Sequence, residues 1–187
     1  MYNSSLIEIL SDESTIFLKS PDYPELREGK SVIRTITNEK AGFSRRHIEL
    51  IEAEWIAHTD GVTLIEAQKG GVYIFKKEFD LTGLKQKIKS SKIYFLVDDY
   101  IKFEFNGSAI DGEYTGGDLP KPLEIDITKF LSREKNQMIF LVRNVVGEEH
   151  WKNVTAKENP YDFIYNIVIE LDDKQIESQN LGTYEIT

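Results

Sequence analysis

The sequence predicts an all-β protein, an antiparallel β-sandwich, from three observations. Apolar and polar residues alternate with a period of two in most of the chain after residue 62. The alternating runs are short, and turn-forming residues separate them. Long amphipathic helical patterns are missing from the sequence, in which only residues 129–136 suggest a single helical turn. Because each strand of a two-layer protein buries one face and exposes the other, this pattern is typical of a sandwich.

Six runs carry the strand pattern. In the clearest run, apolar residues occupy one face and charged residues the other: Tyr73, Phe75, Phe79 and Leu81 against Lys76, Glu78 and Asp80. The last run places five apolar residues on one stripe: Phe163, Tyr165, Ile167, Ile169 and Leu171. The run 138–142 is apolar on both faces, as expected of a central strand. The six predicted strands occupy residues 72–81, 93–97, 101–105, 123–127, 138–142 and 163–171.

Composition limits the class of protein and of partner. The chain has 187 residues, is 40% hydrophobic and contains 10 Phe and 9 Tyr, which is enough apolar area for the core of one domain. Its net charge of −9 repels phosphate groups, so we expect neither nucleic acid nor a membrane as partner. Without cysteine, disulfides, thiolate metal sites and a cysteine nucleophile are excluded. The first residues lack a signal-peptide pattern, which predicts a protein that is cytoplasmic at synthesis.

The chain divides into three predicted parts: an N-terminal arm or extension at 1–46, a β-sandwich domain at 47–171, and a C-terminal tail or strand at 172–187. The first part contains short apolar pieces and a strand-like alternation over 31–37. An arm that grips a neighbouring subunit and extra strands of the same sheet both fit it. Residues 47–57 fit either a helical stripe or an imperfect alternation, and we prefer the strand.

The connections between the predicted strands are of two kinds. Asn106-Gly107 is a tight-turn signature, because a type I′ turn needs positive φ at both central positions. Residues 111–118 and 146–160 form much longer connections. Long loops collected at one end of a sandwich are where binding usually takes place.

Several short motifs resemble a known family when they are taken in order. They are Trp55-Ile56, the aromatic strand at 71–79, Asp98-Asp99-Tyr100, Asn106-Gly107, and the closing segments 126–131 and 142–144. Together they resemble galactose-binding-like jelly-roll domains, the non-catalytic sugar-binding domains of family 2-type glycoside hydrolases. The resemblance covers residues 54–171 and implies an antiparallel jelly-roll of eight or nine strands. It implies no hydrolysis, because the catalytic carboxylates of those enzymes lie in a separate barrel domain.

Polar residues at the predicted strand ends are candidates for structural roles. Asp98 and Asp99 are paired carboxylates of the kind that binds calcium, so a structural calcium ion is one interpretation. The preferred interpretation is a structural corner, in which Asp99 points towards the core and accepts hydrogen bonds from turn N–H groups. Backbone capping is also the role predicted for four residues in similar positions: Asn106, Asp126, Asn136 and Asn144.

Two aromatic residues on the long connections are candidates for carbohydrate binding. Tyr114 and Trp151 have flat apolar faces of the kind that stacks on sugar rings. Trp151 follows Glu148-Glu149-His150, for which a metal site is another interpretation and a solvated loop the plainest one. The sequence contains no phosphate-binding glycine loop, Gly-x-Ser-x-Gly or His-Glu-x-x-His motif, so we expect neither an enzyme nor a cofactor.

Two functions remain. The preferred one is a non-enzymatic structural or assembly module that docks on neighbouring protein subunits in a homo- or hetero-oligomer, as in a virion or a phage tail. The unmatched N-terminal part, the many edge strands and the missing export signal favour it. The alternative is a carbohydrate-binding module that recognises glycans through residues 112–120 and 146–160.

Overall fold

The protein folds as two antiparallel β-sheets packed face to face. The structure is a computed structural model that describes residues 5–34, 48–50, 52–61, 63–115, 121–146 and 161–176. The strands in these ranges are β1 (Leu6–Leu10), β2 (Ile16–Lys19), β3 (Gly29–Lys30), β4 (Val32–Ile33), β5 (Ile56–Ala57), β6 (Gly71–Asp80), β7 (Gln86–Val97), β8 (Tyr100–Phe105), β9 (Ser108–Thr115), β10 (Leu123–Asp126), β11 (Lys135–Asn144) and β12 (Phe163–Ile176). A short helix, α1 (Leu64–Lys69), and two 3₁₀ turns, Ile48–Leu50 and Thr128–Phe130, accompany them. The predicted all-β sandwich is confirmed.

Each sheet is organised around one long antiparallel pair. The first sheet has the order β10-β7-β12-β5-β4, with β1 also paired to β12. The second has the order β3-β2-β6-β11-β8-β9. In the second sheet, β6 and β11 pair along their whole length, from Gly71 opposite Asn144 to Asp80 opposite Lys135. Since β12 continues to Ile176, the first residues of the predicted C-terminal tail extend a strand.

Aromatic side chains from both sheets fill the space between them. Phe163 of the first sheet contacts Phe75 and Phe140 of the second at ring-centroid distances of 5.0 and 5.2 Å. Tyr165 stacks on Phe140 at 4.6 Å. All four side chains are fully buried. Such pairs stabilise the core beyond the effect of the apolar area that they bury, and the predicted apolar stripe of β12 therefore faces the core.

The N-terminal residues that the structure describes are strands of the sandwich. β1 pairs with β12, with Ile9 opposite Ile167. β2 pairs with β6 in the other sheet, with Phe17 opposite Phe75. Because Phe17 is buried in the shared core, residues 5–34 cannot be an arm that leaves the domain. Of the two interpretations of this segment, extra strands on the sheets is the one that the structure shows.

The segment between the N-terminal strands and β6 is less regular than predicted. Of residues 47–57, only Ile56 and Ala57 form a strand. Leu50 and Trp55 instead pack on Ile164, on the outer face of the first sheet. Helix α1 was not predicted, because six residues are too few to show a helical period.

A capping box starts α1. The Thr63 side chain accepts a hydrogen bond from the Glu66 backbone N–H at 3.2 Å, and the Glu66 carboxylate accepts one from the Thr63 N–H at 2.8 Å. These bonds satisfy two N–H groups that an α-helix leaves without partners at its first turn. This local interaction explains why a helix of only six residues is stable at this position.

Two predicted turns are present, one of them at a shifted position. Asn106 and Gly107 join β8 to β9 with φ of 48° and 77°, as a type I′ turn requires. The helical turn predicted within 129–136 is the 3₁₀ turn Thr128–Phe130, and β11 begins at Lys135. The Asn106-Gly107 turn thus closes a hairpin where the sequence places it, and the Thr128–Phe130 turn connects the two sheets.

Lys77 is a cation on the buried face of β6. Its side chain is 6% exposed, and its ammonium group donates to the Asp12 carboxylate at 2.8 Å and to the Leu10 carbonyl at 3.0 Å. The Ser14 hydroxyl is a third partner, at 2.5 Å. These bonds tie β6 to the turn between β1 and β2. Burial opposes ionisation of Asp12, but its bonds with Lys77 and Ser14 outweigh burial and lower its pKa.

We expect Asp12→Ala to lower the free energy of unfolding by about 2 kcal/mol, because it leaves the buried Lys77 ammonium with too few partners. In a Lys77→Met background the same change should cost less than about 1 kcal/mol, since only the turn bonds to Ser14 are then lost. Urea denaturation of the four proteins in this cycle measures both costs. Equal costs in the two backgrounds would show that Asp12 does not act through Lys77.

Candidate functional site

Both long connections begin and end on one side of the sandwich. β9 ends at Thr115, which pairs with Tyr100, and Tyr100 also pairs with Arg143 near the end of β11. β12 begins at Phe163, opposite Val97 at the end of β7. Helix α1 precedes β6 at the same side. We call this side the loop end, and its described residues are 56–61, 63–71, 97–100, 114–115, 143–146 and 161–163.

A cluster of polar side chains forms a floor under the loop end. The His58 Nε2 lies 3.2 Å from the Glu66 carboxylate, and the Tyr73 hydroxyl donates to the same carboxylate at 3.2 Å. The His58 Nδ1 bonds to the Tyr161 hydroxyl. We call these four residues the polar floor. All four side chains lie out of solvent, with His58 7% and Glu66 3% exposed.

The rings of the polar floor are stacked. Tyr73 and Tyr161 lie 3.7 Å apart between ring centroids, and the His58 ring is nearly parallel to both. One assignment of protons satisfies every bond: a neutral imidazole that donates from Nε2 to Glu66 and accepts at Nδ1 from Tyr161. The floor is therefore a hydrogen-bonded network built from one helix and three strand-end segments.

Burial sets the protonation of the polar floor. It raises the pKa of the Tyr73 and Tyr161 hydroxyls, and the Glu66 carboxylate raises both further. Burial also lowers the pKa of His58 below its ordinary value of 6.5, with Glu66 opposing the shift and Arg34 adding to it. At neutral pH the floor thus presents a neutral imidazole and two protonated phenols. Such groups hold positions by hydrogen bonding, and none of them is an activated nucleophile.

We expect the protein to lose stability as the pH falls below 6.5, the ordinary pKa of histidine. Because the folded protein protonates His58 less readily than the unfolded chain does, its stability is complete above that pH and decreases below it. Thermal unfolding between pH 8 and pH 5 measures the loss. The carboxyl groups whose pKa the fold lowers, such as Asp12 and Asp126, act at lower pH and leave this window clear.

Variants distinguish the contributions of the three histidines of the chain to the pH dependence of stability. The loss of stability between pH 6.5 and pH 5 should remain in the double variant His47→Gln/His150→Gln. It should disappear in His58→Phe, because phenylalanine keeps a flat ring but cannot titrate. A profile of His58→Phe that still falls in this range would contradict the assignment to His58.

Tyr114, a predicted sugar-stacking residue, lies at the rim of the core. Its ring contacts Phe95 and Phe103 at 5.5 and 5.8 Å, and its hydroxyl donates to the Asp111 carbonyl at 2.8 Å. Gly112 has φ of 115°, and a Cβ there would stand 3.2 Å from the Tyr114 ring. Because Gly112 has no Cβ, the Tyr114 ring can pack against the backbone of its own strand. The structure gives Tyr114 a packing role, and its part in sugar binding stays a prediction.

The other predicted binding residues lie outside the described part of the chain. They are Trp151, the preceding residues 148–150, and residues 116–120 and 147–160 of the two long connections. The predicted connection 111–118 is shorter than expected, because residues 111–115 belong to β9. The described strand ends that flank both connections lie at the loop end. Carbohydrate binding by Trp151 therefore stays a prediction.

The predicted corner at Asp98 and Asp99 joins two parts of the loop end. The Asp98 backbone N–H donates to the Asp162 carbonyl at 3.0 Å. Asp99 is half-buried rather than pointing into the core, and its carboxylate accepts a hydrogen bond from the Val145 N–H at 2.6 Å. The bond thus goes to the end of β11 and not to the corner's own turn. Within the described residues, no group of three or more acidic or histidine side chains is placed to hold a metal ion.

The other predicted capping residues differ sharply from one another. Asn106 accepts from the Gln137 N–H at 2.8 Å and donates to the Phe130 carbonyl at 2.9 Å. Asp126 accepts from the Thr128 N–H at 2.8 Å. Asn144 makes no such bond within the described part of the chain, although its side chain is buried, and neither its Nδ2 nor its Oδ1 has a hydrogen-bond partner there. The predicted capping role is wrong for Asn144.

A charged patch at the loop end was not predicted. On the outer face of the second sheet, the Arg143 guanidinium lies 4.4 Å from the centre of the Tyr100 ring and donates to Glu113 at 2.8 Å. Lys102 lies 3.7 Å from the same carboxylate. The alternation of β8, β9 and β11 places these residues on the outer face, but only the strand order reveals that they meet. Since the cations share a carboxylate, the patch offers polar contacts without a strong local charge.

A hollow lies at the opposite end of the sandwich. Its volume is about 470 Å³, and its lining residues are Glu78, Phe79, Asp80, Asn106, Lys135, Asn136 and Gln137. Its amide groups are already occupied within the protein, since Asn106 and Asn136 bond to each other and to backbone groups. Glu78 likewise accepts from Gln137 at 3.1 Å. The loop end is the better candidate because the described strand ends that flank both long connections lie there.

Comparisons with known proteins show the fold. No family model matches the sequence, and no curated protein matches it. Among solved structures, an FMN-binding β-glucuronidase from Facaelibacterium prausnitzii L2-6 matches with a TM-score of 0.50 and 13% identity, over 89% of this chain and 23% of that chain. A β-glucuronidase from Ruminococcus gnavus matches with a TM-score of 0.51 and 15% identity, over 91% of this chain and 30% of that chain.

These matches agree with the resemblance seen in the sequence to the jelly-roll domains of glycoside hydrolases. The chain spans about a quarter to a third of the length of these enzymes. At such low identity the likeness shows the fold alone. None of the helices in the described residues is long and apolar enough to cross a membrane.

Proposed function

We propose that this chain is a non-catalytic carbohydrate-binding β-sandwich that takes a sugar at its loop end. The observation that carries the proposal is that the described strand ends flanking both long connections lie at the same end of the sandwich as α1 and the polar floor. Sugars present many hydroxyl groups that both donate and accept, and they are recognised by fixed polar side chains beside apolar or aromatic ones. The loop end carries Tyr100 and Tyr114 together with the partly exposed Arg143–Glu113 ion pair, which offers polar contacts.

The likeness to solved structures supports the same choice. Two of them are β-glucuronidases, enzymes named for acting on a sugar acid. This favours a carbohydrate role over a virion or phage-tail role. The chain matches less than a third of each enzyme, and the resemblance stated above places the catalytic carboxylates of such enzymes in another domain. A binding role without catalysis is consistent with both points.

We expect the protein to bind an array of immobilised neutral and glucuronic-acid-containing oligosaccharides. Trp151→Ala, which removes the predicted stacking surface, should weaken binding at least tenfold, as is typical of an aromatic anchor. Gln137→Ala, at the opposite end of the sandwich, is the matched control and should bind as the wild type does. An array on which the folded wild-type protein binds nothing would overturn the proposal. If Gln137→Ala loses glycan binding and Trp151→Ala keeps it, the binding site lies at the opposite end of the sandwich.

A second candidate function, docking on another copy of this chain, is favoured by the outer face of the second sheet. Half-buried aliphatic residues lie there on neighbouring strands, with Leu141 opposite Ile74, and Val72 and Ile139 beside them. The outer face of a two-layer sandwich normally carries polar residues, and an aliphatic strip of this kind is typical of an interface.

If this face joins two copies, light scattering should give twice the mass of one chain for the wild type and the single mass for Leu141→Glu. Lys85→Glu, a charge change at an exposed residue between β6 and β7 and away from the aliphatic strip, is the control and should leave the dimer intact. A wild-type protein that is monomeric at high concentration would remove this candidate and leave carbohydrate binding untouched.

A further inference from the structure

Strand β11 carries a buried asparagine at each end. Asn136 and Asn144 are 2% and 3% exposed, and both side chains lie on the inner face with Phe140 and Val142. Asn136 lies at the end opposite to the long connections, and Asn144 lies at the loop end. The two residues form a natural comparison, because they share residue type, strand, face and burial.

The side chain of Asn136 is fully hydrogen-bonded. Its Nδ2 donates to the Ser132 carbonyl at 2.9 Å and to the Glu134 carbonyl at 3.0 Å. Its Oδ1 accepts from the Ser132 N–H at 2.7 Å and from the Asn106 Nδ2 at 3.0 Å. Every donor and acceptor of the amide is used, which is the usual state of a buried polar group. Asn136 holds the tight turns of its end together.

The side chain of Asn144 is not bonded, although the backbone around it is held firmly. Its backbone pairs with Gly71 in the β6–β11 ladder, and the next N–H, that of Val145, donates to Asp99 at 2.6 Å. Among the residues that the structure describes, neither Nδ2 nor Oδ1 has a partner. A buried amide without partners costs free energy, and such groups are retained mainly where they have another task.

The position of Asn144 indicates that task. It lies on the same inner face as Tyr73 of the polar floor, since Tyr73 pairs with Val142, two residues before Asn144. It is also the last strand residue before the connection that starts at Val145. An amide with a free donor and a free acceptor matches a partner that offers both within a few ångströms. Two neighbouring hydroxyl groups of a sugar do so, whereas a carboxylate only accepts and an ammonium group only donates.

We propose that the side-chain amide of Asn144 is the polar group at the loop end that binds neighbouring hydroxyl groups of a sugar. The proposal rests on the proposed carbohydrate-binding function and names the residue and the chemistry that carry it. The backbone that carries the amide is fixed by the β6–β11 ladder before the ligand arrives. A fixed backbone reduces the entropy that is lost on binding.

The experiment compares three variants in stability and in binding. Asn144→Leu replaces the amide by an apolar group of similar size, Asn144→Ala removes it, and Asn136→Ala is the matched control. Urea denaturation gives their stabilities, and the array of neutral and glucuronic-acid-containing oligosaccharides, followed by calorimetric titration of the glycans retained by the wild type, gives their binding.

We expect Asn144→Leu to be as stable as the wild type or more stable, because it removes an unsatisfied buried group. Its affinity for the retained glycans, and that of Asn144→Ala, should fall at least tenfold. Asn136→Ala should lose stability, while its folded fraction binds as the wild type does. The contrast between the two ends of one strand is the result that supports the proposal.

Two results would overturn it while leaving the proposed function in place. Undiminished binding by both Asn144 variants would show that the sugar does not use this amide. A loss of stability in Asn144→Leu as large as in Asn136→Ala would show that the amide already has a partner in the folded protein. A wild type that retains no glycan is a different outcome, since it overturns the proposed function itself and this inference with it.

Discussion

The aromatic layer between the sheets is the constraint on which the rest of the structure depends. Phe163 and Tyr165 of β12 interlock with Phe75 and Phe140 of the other sheet. Burying Tyr165 places a hydroxyl group out of water, where it must find a partner. Thr15 supplies that partner at 2.8 Å. The N-terminal segment is therefore fastened to the middle of the core, which explains why it belongs to the sandwich.

The same requirement appears wherever polar groups enter the interior. Lys77 is buried because the turn between β1 and β2 surrounds its ammonium group with oxygen atoms. Glu66 is buried because His58 and Tyr73 reach its carboxylate and the start of α1 uses its second oxygen. In each case, segments far apart in the chain supply the partners. Polar groups thus specify how the irregular segments dock on the two sheets.

Periodicity predicts the part of the fold that depends on local pattern. The alternation of β6 and β12 predicts their buried faces correctly, since each strand decides by itself which side chains face the core. The same alternation leaves Lys77 unexplained among aromatic residues, because its partners come from residues 10–14. The capping box of α1 was readable as Thr63 followed by Glu66, but no helical period accompanied it. Pairing across the sequence, as for β1 with β12, has no local signal at all.

For the candidate site, the location stays a prediction. Two long connections were predicted to mark a binding end, and the described strand ends that flank them lie at the same end of the sandwich. The composition of the polar floor was not predictable, because His58, Glu66, Tyr73 and Tyr161 meet only through the fold. Asn136 and Asn144 looked alike in sequence, since both are polar residues at strand ends. Only the surrounding residues show that the amide of Asn136 is fully hydrogen-bonded and that the amide of Asn144 has no partner among the described residues.

The two ends of the sandwich consequently differ in what they can do. At the end away from the long connections, the side chains of Asn106, Asn136 and Asp126 bond to turn backbone groups. These side chains stabilise the turns and are already engaged within the protein. At the loop end, the groups of the polar floor bond to one another, whereas the amide of Asn144 has no partner among the described residues. The aromatic core and the hydrogen bonds of both ends can supply the stability that one unsatisfied buried amide costs.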